Sequence, residues 1–340
     1  MPSAYLTAFL RYAASEDLPI EPLLAGTRLS VEQLRRGSKA VSFVETRQVL
    51  ANVTNQLGPG WHLSLDQLLS VSAHGPLGFA AVTAPDLRAS VDVLLRFIGI
   101  RGPYVWLAGS TEGDCFVIRL YESTDLGRER HTLVELALLA IQGILERPLG
   151  RELKGARIDL AYPPPVYRPQ MAAAFHTELA FNASGHRVSF PVDWLDEPCA
   201  LHDEAMHRYL VMRCEEELRS VSGILPAEIA VRQALLARPG ILPGLAEIAE
   251  TQNVSPRTLI RRLKRGETSY NRVLEDVRKT LAADYLLRSN MNVTNIGYRL
   301  GYQDPSNFGR AFRGWFGASP GRYRDEHRAA GIARDAGVPD

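Results

Sequence analysis

The sequence predicts an α+β N-terminal domain followed by an all-α C-terminal domain of two helix-turn-helix units joined by a long helix. Three observations predict it. At 340 residues the chain exceeds what one hydrophobic core usually serves. Helical and alternating apolar spacings are mixed before about residue 220, whereas only helical spacing follows. Finally, two helix starts repeat: Ser255-Pro256-Arg257-Thr258-Leu259-Ile260-Arg261-Arg262-Leu263-Lys264 and, 49 residues on, Asp304-Pro305-Ser306-Asn307-Phe308-Gly309-Arg310-Ala311-Phe312-Arg313.

The first 70 residues read mostly helical. Tyr5, Phe9, Leu10 and Ala13 share one helix face, and a longer run goes from Phe43 through Val49, Leu50 and Val53 to Leu57, where Gly58-Pro59-Gly60 ends it. Leu87, Val91, Leu94, Leu95 and Ile98 mark another helix. Strand-like segments Tyr104 to Leu107 and Cys115 to Tyr121 flank Thr111-Glu112-Gly113-Asp114, which is read as a hairpin turn. A helix from about His131 to Leu145 follows. Strands are predicted at Arg157 to Leu160 and Arg187 to Phe190, around Pro163-Pro164-Pro165, and a helix over Leu201 to Leu218 leaves the domain.

The remainder reads as seven helices. Ile229, Leu235 and Leu236 mark the first; Leu245, Ile248 and Ala249 the second; the Ser255 helix is third. Tyr270, Val273, Leu274, Val277, Leu281 and Tyr285 trace a long fourth helix with one buried face. Val293, Ile296 and Leu300 give a fifth, the Asp304 helix a sixth, and Ser319 to Arg328 a seventh. The expected organisation is a domain over 1–220, a linker over 221–226, a double helix-turn-helix domain over 227–329 and a tail over 330–340.

Both repeated starts put a side-chain acceptor at the N-cap and proline at the first helical position, where a missing N–H costs nothing. In a helix-turn-helix the second helix enters the major groove and offers its first residues to base edges. With Leu259 and Leu263 inward, Arg257, Thr258, Arg261, Arg262 and Lys264 remain for DNA. With Phe308 and Phe312 inward, Ser306, Asn307, Arg310 and Arg313 remain in the second unit. Arg257 and Arg261 each match the two acceptors of guanine. The plainer alternative is a solvated helix face formed by Arg261, Arg262, Lys264 and Arg265. Recurrence of the charges at matched positions after capped starts argues against it, and so does the charge distribution. From Pro226 onward there are 18 Lys and Arg against 12 Asp and Glu, a net of +6, while the rest of the chain carries −5. Arg232, Arg238 and Arg278 lack such support and are expected to be surface or phosphate-range charges.

Other chemistry finds little footing. Three scattered cysteines form neither a disulfide framework nor a C-x-x-C pair and suit a reducing compartment. The N-terminus lacks a basic leader, and the longest uncharged stretch, Gln67 to Pro85, is broken by His74, Gly75, Pro76 and Gly78, so neither signal peptide nor membrane span is expected. Gly317-Ala318-Ser319-Pro320-Gly321 matches the nucleophile elbow of hydrolases in letters, but follows one helix and caps another. Cys199, His202, His207 and Cys214 are close in sequence, yet the two histidines are five apart rather than four, and no metal is expected. No cofactor motif is present. Phe79, Phe97, Tyr104, Trp106 and Phe116 either line an apolar pocket or belong to the core.

The C-terminal residues resemble the DNA-binding domain of the AraC/XylS family of bacterial transcription regulators, over about Pro226 to Arg328. The Ser255 helix, Leu300-Gly301-Tyr302-Gln303-Asp304-Pro305-Ser306-Asn307-Phe308 and Trp315-Phe316-Gly317-Ala318-Ser319-Pro320-Gly321-Arg322-Tyr323-Arg324 carry the likeness. The resemblance implies binding to promoter DNA and contact with RNA polymerase. It puts base contacts on Arg257, Thr258 and Arg261, and on Pro305, Ser306 and Arg310. Asn253 departs from the usual Leu-Gly turn, Gly297 from a usual alanine, and Pro305 lacks a donor. Over residues 1 to 205, His74-Gly75-Pro76-Leu77-Gly78 and Phe190-Pro191-Val192-Asp193-Trp194-Leu195 resemble the arabinose-binding-like sensor domain of the ornithine-regulator type. That implies a small-molecule effector and a homodimer; a cupin-like barrel, seen in other members, is the alternative fold. The expectation is a cytoplasmic transcription activator with an effector-binding domain, against two alternatives: an N-terminal enzyme fused to a DNA-binding tail, or an effector-independent DNA-binding protein.

Overall fold

The computed structural model describes residues 3–36, 41–65, 70–102, 104–222, 227–236, 242–288 and 291–335. The chain divides into two compact units, Met1–Ile224 and Leu225–Asp340. Of the linker expected at 221–226, residues 221 and 222 end a helix of the first unit and the rest lie outside the described residues; of the tail expected from 330, residues 330–335 continue the last helix and the rest lie outside them.

The first unit opens with α1 (Ser3–Ser15), α2 (Ile20–Leu23), α3 (Val31–Arg36) and α4 (Phe43–Leu57). Ser42 starts α4 as a capping box: its Oγ accepts from the Glu45 N–H at 3.2 Å and donates to the Glu45 carboxylate at 2.7 Å. Gly58, at φ 82°, ends it. After α5 (Gly75–Val82), Asp86 caps α6 (Leu87–Arg101) through the Ala89 N–H at 2.8 Å. The hairpin β1 (Val105–Glu112) and β2 (Cys115–Glu122) is longer than the sequence suggests. Thr111 pairs with Phe116 and Glu112 with Cys115, so the turn is Gly113-Asp114 alone, with a φ of 57° at Gly113.

α7 (Arg130–Leu149) runs four residues past its predicted end and is buried almost all round from Leu133 to Leu145, mostly by apolar side chains, because it lies inside the core. β3 (Arg157–Asp159), α8 (Arg168–Ala174), β4 (Glu178–Ala180) and β5 (His186–Pro191) complete the sheet, and α9 (Glu204–Ser222) follows. The sheet order is β1-β2-β5-β3-β4, antiparallel except between β3 and β4. Its open edges β1 and β4 exclude a closed barrel. This is a mixed α+β domain, and its core is one cluster spanning all these elements.

A buried polar centre ties α7 to its surroundings. Glu135, fully buried, meets the His62 Nε2 at 2.5 Å and accepts from the hydroxyls of Tyr162 and, at 3.2 Å, Tyr167. A buried carboxylate is tolerated only with such partners.

The second unit comprises α10 (Ala227–Leu236), α11 (Leu245–Thr251), α12 (Pro256–Arg265), α13 (Tyr270–Arg288), α14 (Val293–Arg299), α15 (Pro305–Phe316) and α16 (Pro320–Asp335). α13 buries Val273, Val277, Leu281, Ala282 and Leu286, and packs against α10, α14, α15 and α16. Arg278 is a clamp rather than a surface charge: its Nε donates to the Leu300 carbonyl at 2.8 Å and its Nη2 to that of Gly301 at 3.3 Å, while the guanidinium lies 4.5 Å from the Tyr302 ring. Arg232 is held by Glu228 and Asp276. Arg238 lies outside the described residues.

Candidate nucleic-acid interface

The candidate surface lies on two helix pairs, α11–α12 and α14–α15. In the first, the Ser255 Oγ accepts from the Thr258 N–H at 3.2 Å, and Leu259 and Leu263 are fully buried. In the second, the Asp304 Oδ1 accepts from the Ser306 N–H at 2.8 Å, and Phe308 and Phe312 are fully buried. Proline is the first helical residue in both.

The repeat extends into the preceding helices at a different offset. Val254 N–H bonds the Ala249 carbonyl and Tyr302 N–H that of Gly297, both at 3.0 Å; Asn253 bonds Glu250 and Gly301 bonds Tyr298, both at 2.9 Å. These pairs are 48 residues apart, whereas the caps Ser255 and Asp304 are 49 apart, so the second turn holds one extra residue, Gln303. The left-handed position of the turn is Asn253 at φ 52° in the first pair and Gly301 at 76° in the second. Asparagine thus occupies glycine's place, and it tolerates that backbone better than other residues with side chains.

Helical geometry sets the exposed faces. Counting 100° per residue, Arg261 points directly away from Leu259 and Leu263, with Arg257, Lys264 and Arg265 beside it, all four exposed; Thr258 and Arg262 are half-buried, and Arg262 flanks the buried side. The Thr258 hydroxyl is engaged with the Ser255 Oγ at 2.9 Å. Among the described residues, none of α12's five cations has a carboxylate within ion-pair distance. Arg265 belongs to this face although no base-contact pattern points to it; its spacing eight residues after Arg257 is the signal.

The same face of α15 is poorer. Adding 49 to Arg257, Arg262 and Arg265 gives Ser306, Ala311 and Gly314, so Arg310 and Arg313 are the only cations left. Arg310 donates to the Asn307 side chain at 2.5 Å. The Asp304 carboxyl, held below the usual carboxylate range by the Ser306 backbone N–H, adds a negative charge at the helix start. Cap and helix together carry +5 in the first pair and +1 in the second. Ser306, Asn307, Arg310 and Arg313 are all exposed.

The remaining candidates disperse. Phe97, Tyr104 and Trp106 are buried, Tyr104 stacking on Phe43 and Trp106 on Tyr121, while Phe116 packs against Phe190 and Phe79 is exposed. A shallow groove of about 210 Å³ lies elsewhere, between α6 and α9 at Asp92, Arg96, His207 and Val211. The Nδ1 atoms of His202 and His207 donate to the carbonyls of Thr83 and Ala80, and no metal-holding cluster occurs among the described residues. Ser319 starts α16, its Oγ accepting from the Arg322 N–H at 3.4 Å. No described helix is long and apolar enough to cross a membrane.

Residues 18–199 match the arabinose-binding N-terminal domain of AraC transcription regulators, and residues 248–326 match a helix-turn-helix domain. The ornithine utilization regulator of Pseudomonas aeruginosa is 32% identical over 96% of both chains. An uncharacterized HTH-type transcriptional regulator of Mycobacterium tuberculosis is 25% identical over 94% of this chain and 95% of its own. The crystal structure of the transcriptional regulator CdpR from Pseudomonas aeruginosa aligns with 95% of this chain and 98% of its own at 20% identity and a TM-score of 0.44. With both matched domains in their order and a full-length relative above 30% identity, the chain belongs to the AraC-type family of DNA-binding transcription regulators and is not an enzyme.

Proposed function

We propose that α11–α12 and α14–α15 are two helix-turn-helix units of one DNA-binding domain, and that they read a promoter unequally. The observation that carries this is the exposed, unpaired cationic face of α12, repeated on α15 with most of its charge removed. Arg257 and Arg261 read bases, with Thr258 beside them; Arg262 and Lys264 hold phosphates. Ser306, Asn307, Arg310 and Arg313 form the weaker second contact. α13, about 28 Å long at 1.5 Å per residue, spaces the two recognition helices for major-groove faces ~34 Å apart along the duplex.

The N-terminal domain binds a small-molecule effector that changes this engagement, and the protein acts in the cytoplasm as a homodimeric activator in contact with RNA polymerase. The likeness to an arabinose-binding domain and to a regulator named for ornithine utilization supports an effector. Footprinting of the full chain on its own upstream region tests the DNA reading: two protected patches about one helical turn apart are expected, with the patch assigned to α12 more sensitive to mutation. A single short patch would refute the two-unit reading. Thermal-shift screening against amino acids and sugars tests the effector. Binding stabilises by RT ln(1 + [L]/Kd), about 2.7 kcal/mol at a hundredfold excess over Kd, and no shift with any compound would favour an effector-independent protein.

A further inference from the structure

The helices that support the two recognition helices differ on their outer faces. The turn hydrogen bonds, 48 residues apart, set Ala246, Glu247, Glu250 and Thr251 of α11 in register with Thr294, Asn295, Tyr298 and Arg299 of α14, and all eight residues are exposed. α11 carries two carboxylates and no cation, α14 one cation and no carboxylate. With α11 at −2 and α14 at +1, the complete helix pairs come to +3 and +2, so most of the charge that α15 lacks relative to α12 is made up on its supporting helix. Counting 100° per residue, Tyr298 points directly away from Ile296 and Leu300, both fully buried. Gly297 on one side of it faces Phe308 of α15, and Arg299 on the other lies over the Tyr285 ring of α13 at 5.6 Å. Tyr298 itself is 54% exposed, and its hydroxyl has no hydrogen-bond partner among the described residues.

We propose that the outer face of α14 holds the sugar-phosphate backbone beside the second unit, with the Tyr298 hydroxyl donating to a phosphate oxygen and Thr294, one turn before it on the same edge, adding a second hydroxyl. The inference rests on the two-unit reading above and assigns where the second unit takes its hold. The first helix of a helix-turn-helix crosses the backbone, and Tyr and Thr hydroxyls are regular donors to phosphate. Charge decides the occupant: a face with one arginine and no carboxylate suits a polyanion, whereas Glu250, in register with Tyr298, opposes one in the first pair. A hydrogen bond to phosphate carries no sequence information. α14 therefore adds affinity and register to a unit whose recognition helix is poor in cations, and the two units divide the work: α12 supplies base reading and α14 fixes position.

Titrations of the full chain on a duplex of its own upstream region and on a random duplex of equal length test this. Tyr298→Phe removes one oxygen from an exposed ring and is expected to weaken binding to both duplexes by the same factor, about tenfold. The salt slope should stay unchanged, because a neutral hydroxyl displaces no counterion. Tyr298→Glu copies the first pair and is expected to weaken both further. Ethylation of the phosphates locates the contact: at one phosphate flanking the second protected patch it should impair wild-type binding and leave Tyr298→Phe indifferent, which an altered fold alone would not produce. Unchanged binding of both variants, with two protected patches present, overturns the α14 contact and spares the two-unit reading. A single short patch together with unchanged variants overturns both. Loss on the upstream duplex alone overturns the backbone contact, since it makes Tyr298 a reader of bases.

Discussion

Phe308 lies against the bare α-carbon of Gly297: a β-carbon built there would sit 3.3 Å from the Phe308 β-carbon and 3.4 Å from its Cδ1. In the other helix pair the matching positions are Ala249 and Leu259, both fully buried. The larger aromatic in α15 thus takes the room that a methyl occupies in the first pair. Glycine in a helix costs about 1 kcal/mol relative to alanine, and here that cost accompanies an aromatic core in which Phe308, Phe312, Phe316 and Tyr323 pack ring on ring.

Gly297→Ala should therefore change stability by less than about 1 kcal/mol, because the gain in helix propensity and the tight contact oppose each other. Gly297→Val adds branched volume against the same ring and should destabilise by about 1–3 kcal/mol. Urea unfolding followed by circular dichroism checks both, and equal effects from the two substitutions would contradict the packing argument.

Asn253 is a second point of controlled strain. At φ 52° its backbone is the one glycine adopts in the matching turn. Asn253→Gly should be neutral or stabilising by a few tenths of a kcal/mol, whereas Asn253→Val should cost about 1–2 kcal/mol, since a β-branched residue is disfavoured there. Melting temperatures check this: Asn253→Gly is expected at or slightly above the wild type, and Asn253→Val clearly below it.

These two residues also show what was legible in the sequence. The helices of the second unit could be read from periodicity, and α12, α14 and α15 also from their Ser, Asn and Asp caps. The departures at Asn253 and Gly297 could be seen but not explained, since their reasons are a dihedral angle and a ring packed across the turn. Arg278 was misread for a related cause: its partners, the carbonyls of Leu300 and Gly301, are backbone atoms that sequence does not reveal. In the first unit, β4 and α8 were missed because three to seven residues leave no periodic signal. The hairpin was read too short because Thr111 and Glu112 look like turn residues while pairing in register.

The central position of Arg261 on α12 gives a direct test of base reading. Arg261→Ala should cost about 1–3 kcal/mol on the specific site and relax selectivity at the contacted base pair, while Lys264→Ala should weaken all sequences alike and flatten the salt slope by about one unit. Titrations on operator and random duplexes at several salt concentrations separate the two. Equal losses on both duplexes for Arg261→Ala would remove it from base readout.

Asp304 ties cap chemistry to DNA affinity. Its carboxyl pKa is lowered first by the Ser306 backbone N–H, so the ionised cap stabilises α15 above the unfolded carboxylate range, and that contribution is lost as pH falls through the lowered folded value. Asp304→Ser keeps a cap oxygen, as Ser255 does in the first pair, but removes the negative charge. The variant should keep its fold at neutral pH, lose less stability than wild type on acidification below about pH 4, and bind both specific and random DNA more tightly, because one repulsive charge beside the phosphates is gone. The salt dependence should steepen in step. Tighter binding on the specific duplex alone would mean that Asp304 discriminates between sequences; unchanged binding on both would place the start of α15 away from the phosphate backbone and confine DNA contact to α12.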